Sequence, residues 1–142
     1  FMKVKDILQV KGDAVVSVSP DTIILDALSL MSKFNVGAVL VMDNDKLVGV
    51  FTERDYARKI ILKGRTSLDT YVSEIMSDEL ITVHPEESIS ECMVLMSDKR
   101  VRHLPVVQND KVVGIISIGD VVKFIIEEQE VVIEHFKMYI SG

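Results

Sequence analysis

The sequence predicts an α+β fold made of two strand-helix-strand-strand-helix units, related by pseudo-twofold symmetry and packed sheet to sheet. Three observations lead there. Sliding the chain by 65 residues aligns Val16–Ile61 with Ile81–Ile126 without a gap, and sixteen of the 46 pairs are identical, which is duplication rather than chance. Within each copy the apolar pattern changes from helical spacing to short continuous runs. One copy of about 60 residues buries too little surface to be stable alone, so two copies must cover each other's sheets.

Each element follows in order. Ahead of the repeats, V-K-D-I-L (Val4–Leu8) answers V-S-E-I-M (Val72–Met76), with three extra residues after it in the first copy. A short strand is expected at Val15–Val18 and again at Leu80–Val83, each reaching a proline, Pro20 or Pro85, that starts a helix. Ile24, Ala27, Leu28, Met31 and Phe34 recur at helical spacing, as do Ile89, Cys92, Met93 and Met96. Strands Ala38–Met42 and His103–Val107 then lead through polar turns, Asp43-Asn44-Asp45 and Gln108-Asn109-Asp110, into strands Lys46–Phe51 and Lys111–Ile116. Their continuous apolar character predicts that both faces are covered.

A helix opens after each pair of strands. The second of these runs from Asp120 towards Ile140 and carries an apolar stripe of Val122, Ile125, Ile126, Val132, Ile133, Phe136 and Ile140. That stripe either folds back over its own domain or packs on a second chain. Residues 1–64 are expected to form the first unit, and residues 65–142 the linker, the second unit and the C-terminal helix.

Composition narrows the function. A net charge of −6 argues against a general nucleic-acid binder, which shows a basic face. No apolar run approaches the roughly 20 residues that span a bilayer, and F-M-K-V-K-D lacks the apolar core of a signal peptide. A cytoplasmic protein without membrane or nucleic-acid partners is expected. The single cysteine, Cys92, excludes an internal disulfide and suits a reducing compartment. It takes the place of Ala27 on a helical stripe, which makes it a small buried residue rather than a nucleophile. His84, His103 and His135 lack metal-ligand spacing, and no G-x-S-x-G, Walker or dinucleotide-fold glycine motif is present. Neither a metal nor catalysis is expected.

The most specific signal is a motif that occurs twice, G-V-F-T-E-R-D (Gly49–Asp55) and G-I-I-S-I-G-D (Gly114–Asp120). Together with T-V-x-P at the opening of a unit, it resembles the cystathionine β-synthase (CBS) domain pair over nearly the whole chain. The runs G-V-F-T-E-R-D-Y-A-R-K-I-I-L-K-G-R-T-S, R-V-R-H-L-P-V-V and I-S-I-G-D-V-V are similar to stand-alone two-CBS regulatory proteins of bacteria and plant organelles. The resemblance implies one Bateman-type regulatory module whose clefts bind adenosine-containing ligands: AMP, ADP, ATP, NAD or S-adenosylmethionine. It implies that Asp55 with Thr52, and Asp120 with Ser117, hold ribose and phosphate, with Ile118 and Gly119 inside the second motif. It also implies a homodimer and a client protein, which the sequence does not identify.

The residues have physical readings of their own. Thr52-x-x-Asp55 and Ser117-x-x-Asp120 fit a capping box, in which hydroxyl and carboxylate satisfy free backbone N–H groups. A carboxylate in that position can also accept hydrogen bonds from both hydroxyls of a ribose, beside a helix start that favours anions. Arg102 can chelate a phosphate with its planar fork, and His103 can donate to one or stack; a surface ion pair and a strand start are the plainer readings. Arg54 and Arg58 add charge near the first motif, where Gly37 and Ala38 leave room. The resemblance makes the strand openings Val16-Ser17-Val18 and Ile81-Thr82-Val83, with Val36 and Val101, the candidates for an adenine slot. The two sites are expected to differ: Asp120 with Ser117, Arg102 and His103 for AMP, and Asp55 with Thr52 and Arg54 for NAD or ATP. The alternative is a scaffold with degenerate pockets.

Overall fold

The computed structural model describes residues 2–141 and sends its first helix to the opposite half of the molecule. Helix α1 (Val4–Lys11) starts where Asp6 accepts the Lys3 backbone N–H at 2.9 Å and ends at Gly12, whose φ of 97° favours glycine. Its buried residues, Val4 and Ile7, belong to the core built by the second repeat, together with Ile89, Cys92, Leu104, Val106, Ile116 and Val121. The backbone ties it there as well: Val4 N–H donates to Glu87 O and Ile89 N–H to Met2 O. Helix α4 (Val72–Ile75) makes the reciprocal move, placing Val72 and Ile75 in the first repeat's core with Ile24, Val39, Val41 and Phe51.

Between those helices lies the first unit: β1 (Ser17–Val18), α2 (Ile24–Phe34), β2 (Ala38–Asp43), β3 (Lys46–Thr52) and α3 (Glu53–Tyr56), continued by a π-helical turn, Ala57–Ile61. The second unit repeats it as α5 (Ile89–Lys99), β4 (His103–Gln108), β5 (Lys111–Ser117) and α6 (Ile118–Ser141). Strand β1 runs parallel to β2, and β2 pairs antiparallel with β3, as β4 does with β5. Asn44-Asp45 and Asn109-Asp110 all have φ between 50° and 66°. This is the left-handed pair that a two-residue hairpin needs, and Asn and Asp tolerate it better than most residues.

Four expectations are corrected. The opening strands are shorter than Val15–Val18 and Leu80–Val83: the first keeps two residues, and the second is a single parallel bridge from Val83 to Val106. The cause is Pro105. In the first unit Leu40 N–H donates to Val16 O at 3.0 Å, but the aligned Pro105 has no N–H to offer Ile81, so the ladder stops. Pro20 and Pro85 sit in or beside turns, and the helices begin four residues later, at Ile24 and Ile89. Buried and partly exposed residues alternate along β3 and β5, so complete cover on both faces is limited to β2 and the middle of β4. Phe34 and Met93, counted in the helical stripes, are exposed.

The exchanged helices explain the glycine in each motif. A methyl group added at Gly49 would lie 2.5 Å from Met76 Sδ and 3.0 Å from Ser77 O; one added at Gly114 would meet Leu8 at 2.7 Å. Each strand is kept bare where the visiting segment crosses it. At the other end of the molecule α6 buries Val121 and Phe124 and then runs on, with Val132, Ile133, Phe136, Met138, Tyr139 and Ile140 all exposed. At 24 residues it is about 36 Å long.

Candidate functional site

The Thr52/Asp55 motif opens onto a cavity of about 630 Å³ between the two units. Strand β3 delivers Thr52 to its rim, and there the capping box closes in full. Thr52 N–H and hydroxyl donate to Asp55 Oδ2 at 3.0 and 3.2 Å, while Asp55 N–H donates to Thr52 Oγ1 at 3.1 Å. The other carboxylate oxygen, Oδ1, lies 3.4 Å from Lys59 Nζ, which donates to Ile75 O at 3.1 Å. The helix turns π-helical immediately after α3, a distortion frequent at functional sites, with Ala57 and Arg58 on the cavity wall.

The facing wall comes from the second unit. Arg100, Arg102 and His103 line it, and Arg54 reaches across so that its Nη1 donates to Arg100 O at 3.1 Å. The walls meet at Gly37, where a side chain would begin 3.5 Å from His103 Nε2, in ordinary contact with the ring. Four arginines (Arg54, Arg58, Arg100, Arg102) and three acidic residues (Glu53, Asp55, Glu79) thus line one cavity. Burial pushes the His103 pKa below 6.5; nearby Lys11 lowers it further, against the pull of Asp120 and Glu53. The imidazole is therefore neutral at pH 7.

That shift has a sign. A histidine more acidic folded than unfolded binds its proton preferentially in the unfolded chain, so stability is kept above pH 6.5 and declines as pH falls below it. Chemical denaturation at stepped pH should show this decline, and His103→Gln should flatten it. A slope that His103→Gln leaves unaltered would assign it to other groups.

The Ser117/Asp120 motif forms the same cap, with Ser117 N–H donating to Asp120 Oδ2 at 2.8 Å and Asp120 N–H to Ser117 Oγ at 3.1 Å. Lys11 adds a contact with no counterpart in the first copy. Its Nζ lies 2.6 Å from Asp120 Oδ2 and 2.7 Å from Ile115 O. Burial raises the Asp120 pKa, but the Lys11 and Ser117 hydrogen bonds outweigh it and hold the carboxyl below its ordinary value.

The other expected residues divide. Arg102 and His103, assigned from sequence to the Asp120 site, also line the Asp55 cavity: His103 pairs with Ser117 across the hairpin and feels the Asp120 charge, while its ring lies beside Gly37. Ala38 is buried in the ladder opposite Thr52, and Val36 borders a smaller groove beside Glu53. Ser17 and Thr82 are exposed, and the opening segment meets the cavity through Ile81 and Ser77 rather than Thr82. Ile118 and Gly119 face a shallow depression along the start of α6. Sequence reasoning did not propose Arg100, Glu53 or Glu79. The R-V-R-H run holding Arg100 and Arg102 was the available signal for the first. Among the described residues no group of three His, Cys, Asp or Glu side chains is placed to hold a metal ion, and no helix is long and apolar enough to cross a membrane.

Comparison with known proteins fits this geometry. The family model described as CBS domain matches residues 4–62 and again 72–127. The chain is 38% identical over 148 residues to the mitochondrial CBS domain-containing protein CBSX3 of Arabidopsis thaliana, covering 98% of this chain and 72% of that protein. A solved protein with CBS domains from Burkholderia ambifaria is 44% identical with a TM-score of 0.87, covering 90% of this chain and 96% of that one. The CBS domain pair of protein MJ0100, solved in complex with 5′-methylthioadenosine and S-adenosyl-L-methionine, is 27% identical with a TM-score of 0.77 and covers 87% and 99%. With two matched domains, exchanged helices and a cavity at their junction, this chain belongs to the CBS domain family as a tandem pair.

Proposed function

We propose that this CBS pair senses a phosphorylated adenosine (AMP, ATP or NAD) in the Asp55 cavity and in response alters its affinity for a client protein. One observation carries the reading: a carboxylate suited to ribose hydroxyls and four arginines suited to phosphates line the cavity between the units. The adenosine part is supported by the related pair solved with 5′-methylthioadenosine and S-adenosyl-L-methionine. The charge favours something more anionic than either of those. Four arginines against three carboxylates suit a ligand with two or three phosphate groups, ATP or NAD ahead of AMP.

A ligand at the junction touches both units, so its occupancy bears on the angle between them. Coupling of this kind is typically worth 1–3 kcal/mol. The module acts without turnover, leaving ATP and NADH unconsumed. Its one thiol, Cys92, is buried with a pKa pushed up to about 11, chiefly by burial, and is inert in a reducing cytoplasm. The exposed apolar residues of α6 favour a homodimer and equally suit a scaffold role; a mass of 15.9 kDa in sedimentation equilibrium at micromolar concentration would exclude the dimer. Thermal scans with AMP, ATP, NAD, NADH and S-adenosylmethionine test the sensing itself. A rise of several degrees with ATP or NAD is the expected result, and no shift with any ligand would leave the scaffold reading.

A further inference from the structure

The two motifs carry the same cap but not the same surroundings. Helix α1 has eight residues where its counterpart α4 has four, and the additional turn carries Lys11. That ammonium group is held by two acceptors, Asp120 Oδ2 and Ile115 O, at 2.6 and 2.7 Å. At Asp55 the ion pair is looser: Lys59, from its own helical segment, lies 3.4 Å from Oδ1 and is hydrogen-bonded elsewhere, while Oδ2 accepts from Thr52 N–H and hydroxyl.

Resting on the adenosine reading above, we infer that Lys11 is an internal stopper for the second site. A ribose presents two hydroxyl donors to a carboxylate. Asp120 Oδ2 already accepts from Ser117 N–H and from Lys11, and a charge-assisted bond of this length is stronger than the neutral one that would replace it. A ribose that uses both oxygens of Asp120 therefore has to displace Lys11 from Oδ2. The design of α1 permits this. Val4 and Ile7 anchor the helix in the second core, while Lys11 sits in its last turn, next to Gly12 and the irregular stretch that follows. The Lys11 side chain can swing away while Leu8, one turn earlier, stays packed against Gly114. The Asp55 cavity is thus open at rest, while Lys11 holds one oxygen of Asp120.

The test is calorimetric titration of the native chain with AMP, beside Lys11→Met, Lys11→Arg and the double variant Lys11→Met/Asp120→Ala. Lys11→Met keeps the length of the apolar stem and removes the charge. The expected result is one AMP per chain for the native protein and for Lys11→Arg, two for Lys11→Met, and one again for the double variant. Two AMP on the native chain, one on Lys11→Met, or weaker binding by Lys11→Met would each overturn the stopper. If the native chain binds no AMP, the Asp55 cavity does not take AMP, and titration with ATP and NAD decides the adenosine reading: binding of either keeps it and binding of neither ends it. The stopper is then decided by Lys11→Met alone: AMP binding there supports it and its absence overturns it. Carbon NMR of the Asp120 carboxyl gives a ligand-free check with His103, the other titrating group facing it, left in place. Its midpoint should rise in Lys11→Met, and an unmoved midpoint would also overturn the proposal.

Discussion

Asp55→Ala is expected to abolish the rise in melting temperature that ATP or NAD produces. A ligand at a hundred times its dissociation constant adds about 2.7 kcal/mol of stability, which for a chain of this size amounts to roughly 10 °C. The variant loses the whole of that increment because the ribose loses its acceptor. Its unliganded stability should fall by only about 1 kcal/mol, the usual cost of a helix cap. The two costs separate the roles of the motif. A variant that is slightly less stable but shifts fully with ligand would show Asp55 to be a cap and nothing more. Asp120→Ala is the internal control, expected to cost a similar cap while leaving the Asp55 cavity and its shift intact.

The largest structural effect should come from Ile7→Ala, a change far in sequence from the core it damages. Ile7 is 2% exposed and packs among residues drawn from the second repeat. Truncating a buried isoleucine typically costs 2–5 kcal/mol, from lost transfer energy and the cavity left behind. Denaturant unfolding should report a loss in that range. Val10→Ala is the control on the same helix: Val10 is 70% exposed, and its truncation should stay within about 0.5 kcal/mol. Equal small losses in both variants would mean that α1 is docked more loosely than its burial indicates.

What the sequence disclosed and what it concealed follow one physical division. The repeat, the hairpins and the capping motifs depend on neighbours in the chain, and each was legible: Asn44-Asp45 marks its turn by backbone preference, and Thr52-x-x-Asp55 marks its cap by spacing. The exchange of α1 and α4 depends on which apolar face meets which, and Val4, Ile7, Val72 and Ile75 look alike whichever core receives them. The site divides in the same way. Thr52, Asp55 and Arg54 fall out of the local motif, whereas Arg102 and His103 were paired with Asp120 alone. That they also line the Asp55 cavity follows from contacts between β4 and the segment at Gly37, which no local pattern records. Arg100 was hidden for a different reason. It occupies the left-handed position that ends α5, with φ of 54°, where Asn35 ends α2. An arginine there reads as an imperfect helix stop rather than a cavity wall.

The exchange of α1 also sets a timetable for the chain's own manufacture. Val4, Ile7 and Leu8 leave the ribosome well before the residues they pack against, which lie between Val83 and Phe124. At ordinary rates of synthesis, roughly 5–20 residues per second, the helix waits several seconds with its apolar face bare. The first repeat cannot finish ahead of the second either, because its core still lacks Val72 and Ile75 from the linker. Both cores therefore close late, by contacts distant in sequence, and such closure is slow. The nascent protein passes through a vulnerable interval in which a chaperone, or the α6 face of a finished copy, has first access to surfaces that the native fold conceals.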